Sequence, residues 1–159
     1  MPVKTPYQWP CKYEQNYDGD TLTLTLDFGF RQYKMVKVRL DGIDTAELRR
    51  VKEIPPEEEA VFKAYASLAK EAVAKYFEQY EDRRFVYYSH HVEGDSFGRS
   101  VGDVKVSHDD YTDTLTDYLL DRRLAITYDG KESRSSEEFL NRHRKNITWL
   151  RRNGLLEDE

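Results

Sequence analysis

Cysteine is almost missing from this chain of 159 residues, where Cys11 stands alone. An intramolecular disulfide is therefore excluded, and so is a zinc cluster built on cysteines. Long apolar runs are missing as well. No stretch is long enough to span a bilayer, and the opening Met1-Pro2-Val3-Lys4-Thr5-Pro6 lacks the apolar run of a secretory leader. The expectation is a soluble protein, cytoplasmic or exported without a visible signal, that does not contact membranes. Positive charge is not in excess either: 25 basic residues face 30 acidic ones, for a net charge of −5. A binder that coats nucleic acid with a uniformly basic surface is thereby ruled out. An enzyme with a local cationic pocket is not, because a focused field matters more than the total. No internal repeat and no low-complexity segment is found.

What is present suits one domain with one core. Hydrophobic residues make up 38% and charged residues 35%, so the interior is lean and the surface ionic. Twelve tyrosines are an unusual number. Tyrosine combines apolar area with a hydroxyl and suits half-buried faces and stacking surfaces.

Residues 1–10 hold Pro2, Pro6 and Pro10 and read as an extended arm. Over residues 21–28, Leu22, Leu24 and Leu26 alternate with Thr21, Thr23 and Thr25, the period of a half-buried strand. Gly29 marks a turn, and residues 35–40 alternate again as the second arm of a hairpin. Pro55-Pro56 followed by Glu57-Glu58-Glu59 is a helix start whose acid complements the helix dipole. Val61, Phe62, Tyr65, Leu68, Ala69, Ala72, Val73 and Tyr76 then recur at helical spacing. Residues 84–89 and 101–106 are rich in β-formers. A second helix is predicted over residues 112–123. A third starts near Ser135, where Ser135 and Glu138 fit a capping box, and stops near Asn153-Gly154. Residues 155–159 read as a frayed tail. Short strands with segregated helices predict an α+β domain over residues 11–154, with a five-stranded barrel as its natural closure and three helices around it.

Three segments concentrate the chemistry. They are Asp18-Gly19-Asp20-Thr21, Arg39-Leu40-Asp41-Gly42-Ile43-Asp44-Thr45-Ala46-Glu47, and Asp95-Ser96-Phe97-Gly98-Arg99. Asp18-Gly19 alone is an ordinary turn pair. As a set, Asp18, Asp20, Asp44 and Glu47 fall at the ends of strands expected to be neighbours. Carboxylates so gathered stay ionised together only beside a cation, and all-oxygen ligands select a hard ion, calcium or magnesium, over zinc. Arg39 lies in a strand between apolar neighbours, and Arg99 follows Gly98. Guanidinium forks take phosphate oxygens two at a time, although each arginine taken singly would also suit a salt bridge with a nearby aspartate. A cation, two phosphate clamps and Glu47, a carboxylate able to take a proton from water, together describe phosphoryl transfer.

These three segments, in this order and spacing, resemble the staphylococcal-nuclease family, whose pattern is Asp-Gly-Asp-Thr, then Arg-Leu with Asp-Thr/Ala-Pro-Glu close behind, then Asp-Lys/Arg-Tyr-Gly-Arg. The resemblance covers residues 11–150. It implies an OB-type barrel with three helices and a calcium-dependent endonuclease that cuts DNA, RNA or both on the 5′-oxygen side and leaves 3′-phosphates. It implies calcium held by the Asp20 and Asp44 carboxylates and the Thr45 carbonyl, with Asp18 acting through water. Arg39 and Arg99 would hold the scissile phosphate, and Glu47 would be the general base. The chain departs from the family in several places. Ala46 stands where the family has proline. Ser96 and Phe97 stand where it has a basic residue and a tyrosine that hold the substrate's terminal phosphate. The loop over residues 48–56 is short. Tyr128 is the candidate for stacking on a base, with a packing tyrosine as the equal alternative.

Other features read more plainly. His90 and His91 point to opposite faces of a strand and cannot easily share an ion; with His108 they are expected at the surface. His143 falls on the apolar side of the third helix, as a core or interface residue. Trp9 and Trp149 read as packing anchors. Arg142, Arg144, Lys145, Arg151 and Arg152 read as a solvated helix face. A monomer is expected. The rival from another class is a catalytically silent OB-type module that binds nucleic acid or protein, and a third reading is a structural domain with turn aspartates.

Overall fold

The computed structural model describes residues 7–80, 84–89, 97–107 and 114–157. Among these, five strands close into a barrel in the order β1 (Gln8–Asn16), β2 (Thr21–Asp27), β3 (Tyr33–Leu40), β6 (Ser100–Ser107) and β5 (Arg84–Ser89), with β5 returning to β1. A two-stranded ribbon joins β4 (Ile43–Asp44) to β7 (Ile126–Thr127). Three helices complete the domain: α1 (Glu59–Gln79), α2 (Leu115–Asp121) and α3 (Glu137–Arg152). The α+β class, the five-stranded OB-like barrel and the three helices all match the sequence expectation.

The period-two pattern of β2 has its expected effect. Leu22, Leu24 and Leu26 are buried in the barrel, while the threonines between them face outward. β2 and β3 pair antiparallel from Thr21↔Arg39 to Asp27↔Tyr33, and Gly29, at φ 81°, takes the left-handed turn between them. β3 then meets β6 in parallel, with Arg39 opposite Val101 and Leu40 opposite Gly102. This mixed pairing fixes the ends of β2, β3 and β6 at one mouth of the barrel. The first and second sequence segments lie there, and Arg99 of the third stands just before β6.

α1 buries Phe62, Tyr65, Ala66, Ala69, Ala72, Val73, Tyr76 and Phe77, packing against β1 of the barrel and against α2 and α3. Its alanines permit close approach. A Cβ placed on Gly19 would lie 2.7 Å from both the Ala69 Cβ and the Thr45 Cγ2. Farther along, Tyr76 meets Phe77, Tyr80, Phe85 and Tyr118 in edge and tilted ring contacts. Such pairs add to simple burial, which accounts for part of the tyrosine content.

Several boundaries differ from expectation. Residues 8–10, expected in the arm, belong to β1 and pair with β5, Gln8 facing Tyr88; Pro10 stands opposite Val86 and just outside the β2 register, which starts at Cys11, a place near a strand end where proline is tolerated. α3 is capped by Ser136, whose hydroxyl accepts from Phe139 N at 3.1 Å, rather than by Ser135. The tail is not frayed through its whole length: Leu155 N bonds to Leu150 O at 2.9 Å, and Leu156 is buried. Trp149 is 37% exposed, so it is no packing anchor; the Arg123 guanidinium lies over its ring. Trp9 does pack, edge-on to Phe28. His90, His91 and His108 lie outside the described residues. No helix among the described residues is long and apolar enough to cross a membrane.

Candidate functional site

The turn between β1 and β2 supplies the first carboxylates. Asp18 Oδ1 accepts from the backbone N–H groups of Asp20 (3.0 Å) and Thr21 (2.9 Å), so Asp18 shapes the turn with its own side chain. Asp20 N–H is thereby committed, and the Asp20 carboxylate is left to face the second segment. Its Oδ2 accepts from Thr45 N at 3.0 Å and meets Arg39 Nη1 at 3.3 Å. Its Oδ1 accepts from the Thr21 hydroxyl at 3.2 Å. Burial and the adjacent Asp20 charge push the Asp18 carboxyl up to about 7. Burial works the same way on Asp20, but Arg39 and the Thr45 N–H outweigh it and hold that carboxyl below its ordinary range. Two neighbouring acids thus respond in opposite directions: both are buried, but Asp20 has the Arg39 guanidinium against it and Asp18 has another carboxylate.

Asp44 is almost wholly enclosed, at 1% exposure. The β4–β7 pairing holds its backbone opposite Ile126. Its Oδ2 meets His143 Nε2 at 2.9 Å. Its Oδ1 is buried and accepts no hydrogen bond among the described residues. Two guanidinia approach that oxygen without hydrogen-bond alignment, Arg134 at 2.6 Å and Arg39 at 3.7 Å. The neighbouring Thr45 hydroxyl is likewise buried without a partner among the described residues.

Arg39 links the first two segments. Its Nη1 donates to Leu40 O at 2.9 Å and its Nη2 to Ile43 O at 3.0 Å, while the same two nitrogens face Asp20 and Asp44. Both ends of the fork are therefore committed to the protein. Glu47 lies farther out, with Oε1 at 2.8 Å from Arg134 Nη2 and Oε2 at 3.7 Å from Arg49. Arg99 reaches the same mouth from the β6 side: its Nη1 donates to the Thr21 hydroxyl at 3.2 Å, and that hydroxyl in turn donates to Asp20. The Arg99 guanidinium also lies 5.3 Å from the centre of the exposed Phe97 ring.

Asp18, Asp20, Arg39, Asp44, Thr45, Glu47 and Arg99 are gathered at one mouth of the barrel, as the spacing of the segments suggested. Asp95 and Ser96 lie outside the described residues. Tyr128 packs its ring edge-on against Phe139 and donates its hydroxyl to Glu132 O at 3.2 Å, so it acts as a packing tyrosine. No family model matches the chain. A search of curated proteins finds no match either.

Sequence reasoning missed four contributors. Arg134, in the loop between β7 and α3, touches both Asp44 and Glu47. Asp44 and Glu47 more than offset the burial that opposes its charge, and hold that charge firmly. Behind Asp44 runs a buried chain: His143 Nδ1 meets the Tyr65 hydroxyl at 2.8 Å, and Asn146 Nδ2 donates to that hydroxyl at 3.0 Å and to Ala125 O at 3.1 Å. The assignment that pairs every donor runs Asn146 to Tyr65 to His143 to Asp44, with His143 donating from Nε2. The helical spacing of His143 and Asn146 on the apolar side of α3 was the only sequence signal for it. Asp44, Thr45, Glu47, Arg134, Phe139 and His143 line a cleft of about 290 Å³ beside the carboxylates.

Proposed function

We propose that the protein is a calcium-dependent nuclease of the staphylococcal-nuclease type, hydrolysing phosphodiester bonds of DNA, RNA or both. The observation that carries this reading is the meeting of Asp20, Asp44, Glu47, Arg39 and Arg99, from three distant segments, at one barrel mouth. The order of the strands and the placement of the three helices agree with it.

The oxygen donors fit a hard cation in kind. Asp44 Oδ1 is a buried carboxylate oxygen without a hydrogen bond among the described residues, and burial together with the adjacent Asp20 charge opposes the ionisation of Asp18. They do not form a closed cage: among the described residues no three acidic, histidine or cysteine side chains converge tightly enough to hold an ion by themselves. Asp20, Asp44 and the Thr45 carbonyl would be the protein's ligands, with water completing a coordination shell of the loose kind calcium accepts. Calcium bound there would supply charge to a phosphate oxygen and help stabilise the added charge of the transition state.

The protein's own groups define the rest. Arg39, anchored by two carbonyls, keeps the Asp20 and Asp44 carboxylates in register and directs positive charge at the mouth. Arg99 clamps the phosphoryl group from the β6 side. Glu47 accepts a proton from the attacking water, the new P–O bond forms in line, the P–O5′ bond breaks, and the 5′ oxygen takes a proton from solvent. Donors fixed in advance at the developing charge bind the transition state more tightly than the ground state.

The measurement is digestion of plasmid and of labelled single strands by pure protein, with calcium and with chelator, followed by analysis of product ends. Calcium-dependent cleavage that leaves 3′-phosphates is expected, and Arg99→Gly should keep the fold while losing about a hundredfold or more in turnover. A second reading, a silent OB-type binding module, draws on Arg39 and Arg134 already neutralising the carboxylates. Binding of nucleic acid without calcium-dependent cleavage would favour it.

A further inference from the structure

We propose that Arg134 is a further catalytic residue: it occupies the carboxylate cluster as a built-in counter-cation, is displaced from Asp44 when a divalent ion enters, and then contacts the substrate phosphate. The inference rests on the nuclease reading above and assigns a role to a residue outside the three segments that suggested it.

Three observations carry it. The first is position. Arg134 meets Asp44 Oδ1 at 2.6 Å and Glu47 Oε1 at 2.8 Å, so it stands between a proposed ion ligand and the proposed base. The second is how it is held. Both contacts run through one terminal nitrogen, whereas Arg39 is fixed through both of its terminal nitrogens by two backbone carbonyls and two carboxylates. The Arg134 side chain is 40% exposed against 13% for Arg39. Arg39 is built into the wall; Arg134 leans on it from a loop. The third is charge. Among the described residues Asp44 Oδ1 accepts no hydrogen bond, so charge rather than an aligned bond holds the guanidinium to it. A divalent ion taking that oxygen would compete directly with Arg134, because two cations on one carboxylate oxygen repel.

Displacement need not carry the side chain far. Glu47 sits farther from the buried floor and still offers a partner. The loop that bears Arg134 is largely exposed; a Glu132–Arg142 ion pair ties it to α3, and much of its remaining polar bonding is internal. Asp129 Oδ1 accepts from the Lys131 and Glu132 N–H groups, and Ser133 and Ser135 pair through their hydroxyls at 3.0 Å. A guanidinium freed at this rim would present its planar fork to an incoming phosphate, while Arg39 would have to give up carbonyl bonds to do the same.

The test reads two quantities that move in opposite directions. Arg134→Ala and Arg134→Gln are made in the full chain, calcium affinity is measured by titration calorimetry without nucleic acid, and cleavage of a single-stranded oligonucleotide is followed at saturating calcium. Calcium should bind roughly threefold tighter or more once its competitor is gone, while turnover falls about a hundredfold. Arg134→Lys should return affinity toward the wild type but restore little turnover, since lysine keeps the charge without the fork. Weakened or unchanged calcium affinity in both variants, or undiminished turnover, overturns the role of Arg134 while leaving the nuclease reading in place. A wild-type protein that neither binds calcium nor cleaves overturns both.

Discussion

Tyr65 comes from α1 and His143 from α3, and together they back the Asp44 carboxylate with a hydrogen-bonded chain that ends at Asn146. Tyr65→Phe removes the one hydroxyl that serves both His143 and Asn146 while keeping the ring. Two buried polar groups then lose a partner, so the variant should be less stable by about 1–3 kcal/mol in urea unfolding. An unchanged midpoint would mean that the hydroxyl is not holding the chain together. Cys11 offers a second check. Burial pushes its thiol up to about 12, so at pH 8 the native protein should be alkylated by iodoacetamide roughly a thousandfold more slowly than an ordinary thiol and react fully only once unfolded. Fast labelling of the native state would contradict that environment. At this scale the sequence disclosed residue types and spacing better than partners. His143 was legible as an inward residue from its place on α3, but its partner Asp44 lies 99 positions away, and no local pattern announces such a contact. Arg134 was illegible because an arginine in a serine-rich loop looks like any solvated side chain until the fold turns it onto two carboxylates.

Elements were legible where periodicity was strong. β2, with alternating leucine and threonine, and α1, with its long apolar stripe, follow directly from their patterns. β1 was missed because Pro10 mimics a linker and its register shifts between Tyr13 and Gln15, which breaks the simple alternation. The start of α3 slipped by one residue because Ser135 and Ser136 are both competent caps. Hairpin pairing was legible, but packing of turns against helices was not, and the site depends on one such contact. Gly19 brings the Asp18–Thr21 turn against α1 and Thr45, where a Cβ would meet atoms 2.7 Å away. Gly19→Ala must push the turn off α1. We expect a loss of about 1–3 kcal/mol in stability and displacement of both Asp18 and Asp20, seen as weakened calcium binding. A variant with native stability and native calcium affinity would show that the packing there is softer than the distances require.

For the whole molecule, a net charge of −5 coexists with a proposed phosphate site because the relevant charges are local. The barrel closes through the β1–β5 pairing and the parallel β3–β6 pairing, and this topology turns separate strand ends into one pocket. The same closure lets α3 seal the floor with His143 while the adjoining loop covers the rim with Arg134. The central claim is that Asp20 and Asp44 are two halves of one cation site. Calorimetric titration of calcium into the wild type, Asp20→Asn and Asp44→Asn, each checked for native fold, tests it most directly. A single saturable site in the wild type that is lost or severely weakened in both variants is the predicted result; no binding in the wild type, or binding that survives either substitution unchanged, would contradict it.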